Sequence, residues 1–248
     1  MNAKAVSEYL TGWLQEEVKK AGAKGVVLGI SGGVDSAVAA VLAKEALGEN
    51  CMGLILPCES SMEDRMHAQL LVDAFNINHH IVELTNAYQL LSTQFESYLK
   101  VEGEKGRLLR ANIKARLRMI TLYYSAQARD YLVLGTSNKS EIYIGYATKY
   151  GDSAVDLQIL GDLLKKEVYE LAHYLEIPEV IIRKPPSAGL WPGQTDEGEM
   201  GWTYEELDAY LETGQGRSEV IEKIEAMHRR SAHKRKIPPI AYIPPGCK

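Results

Sequence analysis

The stretch VVLGISGGVDS, Val26 to Ser36, decides the fold. Its apolar half, bounded by glycines, reads as a buried parallel strand, and the alanine-rich run from Ala37 to Leu47 reads as the helix that follows. The first N–H groups of a helix lack intrahelical partners and carry the positive end of its dipole, so such a turn favours an anion. Gly32 and Gly33 permit positive φ and close approach of a ligand, and Ser31 and Ser36 add hydroxyls. A phosphate fits here. The turn lacks the lysine of a Walker A motif and is too short for one, so ATP would have to be held in another way. A metal on Asp35 is one such way, because a carboxylate among phosphate-binding amides is repulsive unless a cation sits between. The alternative is that Asp35 is an ordinary helix-start acid.

Working outward, Val6, Leu10, Trp13, Leu14 and Val18 lie at helical spacing and predict a helix over Ala3 to Lys20 before the strand. Cys51 to Leu56 reads as a second strand, stopped by Pro57, and Ser61 with Asp64 resembles a capping box for a helix over Met62 to Phe75. His79 to Leu84 reads as a third strand and Tyr131 to Gly135 as a fourth, with Thr136 just past its end. Alternating strands and helices predict an α/β fold, a doubly wound parallel sheet flanked by helices, with ligands at the carboxyl ends of the strands. The proline-rich stretch from Ile237 to Pro245 cannot be helical.

The length, 248 residues, suits a single α/β domain, and 46% hydrophobic with 25% charged residues is ordinary for a soluble globular protein. A net charge of −5 argues against general nucleic-acid affinity. Cys51, Cys58 and Cys247 form no CxxC pair and suggest neither a zinc site nor a disulfide framework. No run approaches the roughly 18 apolar residues of a membrane span, and Glu8 falls where a signal peptide needs its apolar core, so a cytoplasmic protein without a membrane partner is expected.

The segment from Arg107 to Arg129 predicts a helix with two apolar stripes, Leu109, Ile113, Leu117, Ile120 and Tyr124 on one and Leu108, Ala115, Met119, Leu122 and Ala126 on the other. One face suits the core and the other needs a second cover, for which an identical subunit in a two-fold dimer is the candidate; burial of both within one domain is the alternative. Asn112, Arg116 and Tyr123 form a polar strip between the stripes. Arg107, Arg110, Lys114 and Arg118 form a basic face that reads most simply as solvated.

SGGVDS resembles the PP-loop of the N-type ATP pyrophosphatases, an adenine nucleotide alpha hydrolase-like fold. Five later blocks narrow the resemblance: NIKARLRM (112–119), GTSNKSE (135–141), ATKYGDSAVD (147–156), KKEVYELA (165–172) and PSAGLWPGQTDEGEMG (186–201). Together, in this order, they resemble the ammonia-dependent NAD synthetases over nearly the whole chain. The resemblance implies ATP-dependent amidation of deamido-NAD through an acyl adenylate, with AMP and pyrophosphate released and free ammonia as donor. It implies that Gly29, Ile30, Ser31, Gly32, Gly33, Val34, Asp35 and Ser36 cradle ATP, joined by Thr136, Lys165 and Ser187. Asp35 and Glu141 would hold Mg2+, and Asp35 with Lys165 would serve the chemistry. Arg116, Lys149, Asp156, His233 and Lys234 would hold deamido-NAD, near the interface of a homodimer.

Apart from the resemblance, Glu141 reads as an exposed helix acid, Lys165 as one of two lysines at a helix start, and Ser187 as a turn residue. The basic stretch His228 to Lys236 reads as a solvated helix end. The loops Tyr143 to Ser153 and Lys184 to Gly201 are candidates to close over a water-sensitive intermediate. The length leaves no room for a glutaminase domain. A different PP-loop ligase and a non-catalytic ATP-binding regulator are the competing functions.

Overall fold

A computed structural model describes residues 1–191 and 193–247; Pro192, inside the PSAGLWPGQTDEGEMG block, lies outside the described residues. In chain order the elements are α1 (Ala3–Lys20), β1 (Gly25–Gly29), α2 (Val34–Leu47), β2 (Cys51–Ile55), α3 (Met62–Ala74), β3 (Asn78–Ile81), α4 (Thr85–Tyr98), α5 (Gly103–Gln127), β4 (Tyr131–Gly135) and α6 (Lys139–Ile144). Then follow β5 (Leu157–Gln158), α7 (Lys165–Tyr174), α8 (Glu179–Ile182), α9 (Asp196–Met200), α10 (Tyr204–Thr213) and α11 (Ser218–Arg230).

All five strands are parallel, in the order β3-β2-β1-β4-β5. The chain builds outward from β1 to β3, then crosses through α4 and α5 to β4 on the other side of β1. That reversal opens a crevice between the carboxyl ends of β1 and β4, where sheets of this kind take their ligands.

The pleat sends alternate residues of β1 into two cores. Val26 and Leu28 join Leu14, Leu42 and Leu171 under α1, α2 and α7. Val27 joins Leu54, Val133 and Tyr88 under α4 and α5. Ala37 to Ala43 are all buried in α2, which is apolar around its circumference because α1, α7 and the sheet enclose it. A third cluster, Ile144, Trp202, Tyr204, Leu207 and Ile224, packs α6 against α10 and α11.

The first, second and fourth strands, the helix ending at Lys20 and the Ser61 cap all form where the sequence places them; the Ser61 hydroxyl accepts from the Asp64 amide at 3.0 Å. The third strand departs from expectation. It starts at Asn78 and ends at Ile81, short of Leu84, because the Glu83 carboxylate accepts from both the amide and the hydroxyl of Thr85 and turns the chain into α4. No helix is long and apolar enough to cross a membrane among the described residues.

The two stripes of α5 do not separate as expected: Ile113 and Leu117 of the first share a core with Leu122 of the second, and Leu108 of the second lies open with Leu109 of the first, because the two faces that are buried and open run across the stripes rather than along them. Ala115 and Ala126 are buried, and Ile113, Leu117 and Leu122 pack on the α4–α5 core, whereas Leu109, Ile120 and Tyr124 lie open, with Tyr124 75% exposed. The basic face is a correction. Lys114 is buried, held between the Glu59 carboxylate at 2.9 Å, the Leu190 carbonyl at 3.0 Å and the Tyr88 ring. Arg118 is turned into the wall of the crevice. A helix-wheel reading misses this because loops from outside the helix cover that face.

Candidate active site

The turn after β1 is shaped by its own serines. Ser36 Oγ donates to the Gly33 carbonyl at 2.9 Å and accepts from the Ser31 amide at 3.2 Å, and the two hydroxyls lie 3.0 Å apart. Gly33 gives α2 no side-chain cap, so the amides of its first turn stay available for an anion. Gly32 has φ +82°, and a Cβ there would lie 2.4 Å from the Asp64 carbonyl, so only glycine fits.

Asp35, in that first turn, is fixed by two partners from far along the chain. Asn138 Nδ2 donates to one carboxylate oxygen at 2.8 Å and Lys165 Nζ to the other at 2.5 Å. Asn138 is also the N-cap of α6: its side chain accepts from the Glu141 amide at 3.0 Å, and Glu141 Oε2 accepts from the Asn138 amide at 3.3 Å. This capping box leaves Glu141 Oε1 facing Lys165 Nζ at 3.5 Å. One ammonium is therefore shared by two carboxylates, with Lys165 2% exposed.

Burial pushes the Glu141 carboxyl up to about 8, assisted by the Asp35 carboxylate and opposed by Lys165. Burial works against the Lys165 ammonium too, but the two carboxylates outweigh it and hold its pKa above the ordinary lysine value. Tyr204 closes the cluster. Its ring lies 4.9 Å from Lys165 Nζ, and its hydroxyl donates to Asp196 at 3.0 Å.

Lys165 opens α7, where a cation meets the positive end of a helix dipole. Asp208 answers that: it accepts from the Lys166 amide at 2.9 Å and from Ser140 Oγ at 2.5 Å, while Ser140 Oγ accepts from the Lys165 amide.

A cavity of about 590 Å3 beside these groups is lined by Gly29, Ile30, Ser31, Gly33, Val34, Asp35, Ser36, Thr136, Glu141, Lys165 and Ser187. Arg116, Lys149 and Lys234 line it as well. Gly32, Asp156 and His233 do not. Asp156 accepts from the Val133 amide and the Tyr123 hydroxyl at the β4 edge, and His233 is exposed. Arg116 is exposed and donates to the Lys149 carbonyl at 3.2 Å.

The stretch His228 to Lys236 is no solvated helix end. His228 Nδ1 meets the Tyr143 carbonyl at 2.7 Å, Arg235 donates to the Ile142 carbonyl, and Lys234 Nζ donates to the Gly145 and Ala147 carbonyls. Together they satisfy the open carboxyl end of α6, the helix that carries Glu141.

Asn138 escaped the sequence reading, although Asn followed three residues later by Glu is the signature of a helix start. Tyr204 and Asp208 carry no local signal, since only the packing of α10 brings them here.

The described residues of the loop 184–201, all but Pro192, lie against the body at three points. Lys184 pairs with Asp64, Lys114 holds the Leu190 carbonyl, and the Arg107 guanidinium sits 4.8 Å from the Trp191 ring. Lys114→Met removes one charge-assisted bond from this loop, about 1.5 kcal/mol, or roughly a tenfold larger open fraction. Faster chymotryptic cleavage after Leu190 with unchanged global melting is the expected result.

The two carboxylates fit a hard cation, for they already share one ammonium. Among the described residues no three His, Cys, Asp or Glu side chains gather, so the ion that suits them takes one or two protein carboxylates and completes its shell from phosphate and water, as Mg2+ does.

A parallel sheet whose phosphate turn lacks a Walker lysine, and whose crevice supplies a distant lysine and paired carboxylates instead, is that of the PP-loop ATP pyrophosphatases. The model of the family described as NAD synthase matches residues 6–238, and the chain belongs to that family. It is 69% identical over 245 residues to the NH(3)-dependent NAD(+) synthetase of Syntrophomonas wolfei subsp. wolfei, a match covering 99% of this chain and 98% of that one. Among solved structures it is similar to the NMN synthetase from Francisella tularensis, with TM-score 0.92, 40% identity, and 98% of this chain and 100% of that one covered. It is also similar to the NH3-dependent NAD synthetase from Campylobacter jejuni subsp. jejuni in complex with the nitrate ion, with TM-score 0.79, 33% identity, and 98% and 100% covered.

Proposed function

We propose that this ligase amidates deamido-NAD to NAD with ammonia, at the expense of ATP. The observation that carries the reading is the Lys165 ammonium shared between Asp35 and Glu141 beside the glycine turn. An oxygen of the nicotinate carboxylate attacks the α-phosphorus, the bond to the bridging oxygen breaks, and pyrophosphate departs with the electron pair. The nitrogen of ammonia then attacks the acyl carbon, AMP leaves, and the nitrogen loses its proton. The charge that grows on the leaving pyrophosphate is what the site must stabilise. The first-turn amides of α2 receive its oxygens, and Lys165 turns its ammonium from the carboxylates towards them. Asp35 and Glu141 would hold Mg2+, which neutralises phosphate charge when bound. Thr136 and Ser187 border the nucleotide, while Arg116, Lys149 and Lys234 border the acceptor. Asp156 and His233 reach it only if the second subunit or a shift of their segments brings them in.

The test is to incubate the protein with ATP, Mg2+ and deamido-NAD, and to follow AMP and NAD with ammonium or glutamine as donor. NAD formed with ammonium is expected. AMP formation that requires another acceptor means a different ligase, and no AMP at all means a regulator. The similarity to the Francisella NMN synthetase, at TM-score 0.92, makes the mononucleotide of nicotinate a second acceptor to test beside deamido-NAD. Competing the two nicotinates in one assay ranks them by kcat/KM.

We place the enzyme in the cytoplasm, where its free cysteines stay reduced, and in a two-fold dimer across the open face of α5. Leu109, Ile120 and Tyr124 are exposed there, as are Phe95 and Tyr98 of α4 and Leu99 after it, open apolar side chains of the kind that mark an interface. Light scattering at micromolar concentration is expected to give twice the chain mass. The pair Ile120→Asp and Tyr124→Arg is expected to halve that mass and to raise the KM for deamido-NAD more than that for ATP. A single-chain mass for the unaltered protein removes the dimer.

A further inference from the structure

Arg118 has no part in the site described above, yet it is placed as if for a ligand. Leu122, one turn further along the same face of α5, has its Cδ1 3.9 Å from where a Cβ on Gly29 would lie, so the Arg118 side chain sits just beyond the carboxyl end of β1. Its Nε donates to the carbonyl of Leu56, the residue after β2, at 3.2 Å, and its Nη2 to Ser60 Oγ at 3.2 Å. Both acceptors are neutral. Among the described residues no carboxylate lies within 4.0 Å of the guanidinium, whereas of the deepest cations elsewhere Lys114 has one and Lys165 two.

The side chain is half-buried in the wall of the same cavity as the glycine turn. Burial lowers its pKa from the usual arginine value, opposed by the more distant Cys58, Asp152 and Asp64, but a guanidinium keeps its charge throughout the range in which proteins fold. A desolvated charge without a counter-charge costs stability. It is retained at no loss only if something anionic arrives, and three of its five N–H donors are free to receive it.

We propose that Arg118 is the counter-charge for the adenylate phosphate, binding the α-phosphoryl oxygens of ATP and then those of the acyl adenylate. This rests on the amidation reading for its ligand and differs from it in what is measured. The phosphate is favoured over the nicotinate carboxylate by position. Arg118 is tied to the segment after β2 and lies beyond the end of β1, where the glycine turn begins, while the candidate acceptor residue Arg116, two residues earlier on α5, is turned instead to the Lys149 carbonyl. The planar fork of arginine also matches two phosphoryl oxygens at once.

The experiment compares wild type, Arg118→Lys and Arg118→Met by calorimetric titration with AMP, by steady-state kinetics and by thermal melting. Arg118→Met is expected to weaken AMP at least tenfold and to lower kcat/KM for ATP about a hundredfold, with KM for deamido-NAD within twofold and melting unchanged or higher. Arg118→Lys is expected to recover part of the AMP affinity. Wild-type AMP affinity in Arg118→Met overturns the proposal, most plainly if the variant melts lower, since that is the mark of a brace for Leu56 and Ser60. A defect confined to KM for deamido-NAD overturns it as well and assigns Arg118 to the carboxylate. If Arg118→Met does not fold, the AMP titration of Arg118→Lys decides, with unchanged affinity overturning the proposal. A wild type that binds AMP but forms no NAD defeats the amidation reading alone, and the titrations of the variants still decide this one.

Discussion

Lys165→Met is expected to abolish NAD formation, by at least about a thousandfold in kcat, and also to unfold the protein more easily by about 3–5 kcal/mol. Two losses meet in this one side chain. On the proposed reading it is, among the described residues, the ammonium held at the paired carboxylates, and a preorganised donor to a departing oxyanion is worth a factor of about 10² to 10³ by itself. In the resting fold it is the cation that lets Asp35 and Glu141 stand within reach of one point. Removing it leaves two carboxylates facing each other at a site where burial already drives the Glu141 pKa up. Equilibrium unfolding in urea gives the stability loss. Millimolar Mg2+ is expected to restore part of the stability and none of the turnover, because a metal replaces the charge but not the donor on a flexible stem. Unchanged kcat in a folded Lys165→Met would remove the lysine from the reaction.

Asp35→Ala is expected to lose turnover to a similar degree, about a thousandfold, while the protein remains folded. The difference lies in what is left behind. With Asp35 gone, Lys165 keeps Glu141 and the ring of Tyr204, so no buried charge is left alone. Asn138 loses an acceptor but keeps the cap of α6. Circular dichroism and melting check the fold, and NAD formation checks the loss. On the proposed reading Asp35 and Lys165 act on the same phosphates, so the double variant is expected to be little worse than either alone, the non-additivity of groups that work as a unit. Retained activity in Asp35→Ala removes it from the metal site.

The positions of the first four strands along the chain were legible because each is announced by an apolar run with a turn residue beside it. The site was legible in pieces. The turn from Gly29 to Ser36 says phosphate through local chemistry alone, whereas Glu141 and Lys165 read as unremarkable surface residues until the resemblance supplied their roles. What the sequence hid was what depends on distant packing. Lys114 and Arg118 look like a solvated face because nothing local shows that Glu59, Leu190, Leu56 and Ser60 will cover them. His228, Lys234 and Arg235 look like a basic tail because the carbonyls they satisfy lie 85 to 93 residues away. The third strand was overrun by three residues because its apolar pattern, and even its amide bonds to the β2 side, continue to Leu84, while the Glu83–Thr85 turn into α4 has no apolar signal.

The support of α6 by His228, Lys234 and Arg235 also sets the order in which the molecule can become competent during synthesis. The phosphate turn leaves the ribosome early, and Lys165 follows 130 residues after Asp35. The donors that complete the helix bearing Glu141 come later still. Contacts this far apart in the chain are slow to form, and a nascent chain carries its early half exposed in the meantime. A chain paused between α7 and α11 would present an anion-binding turn without a settled partner for Glu141. Tight nucleotide capture would therefore date the arrival of residues 228–235 rather than the folding of the sheet.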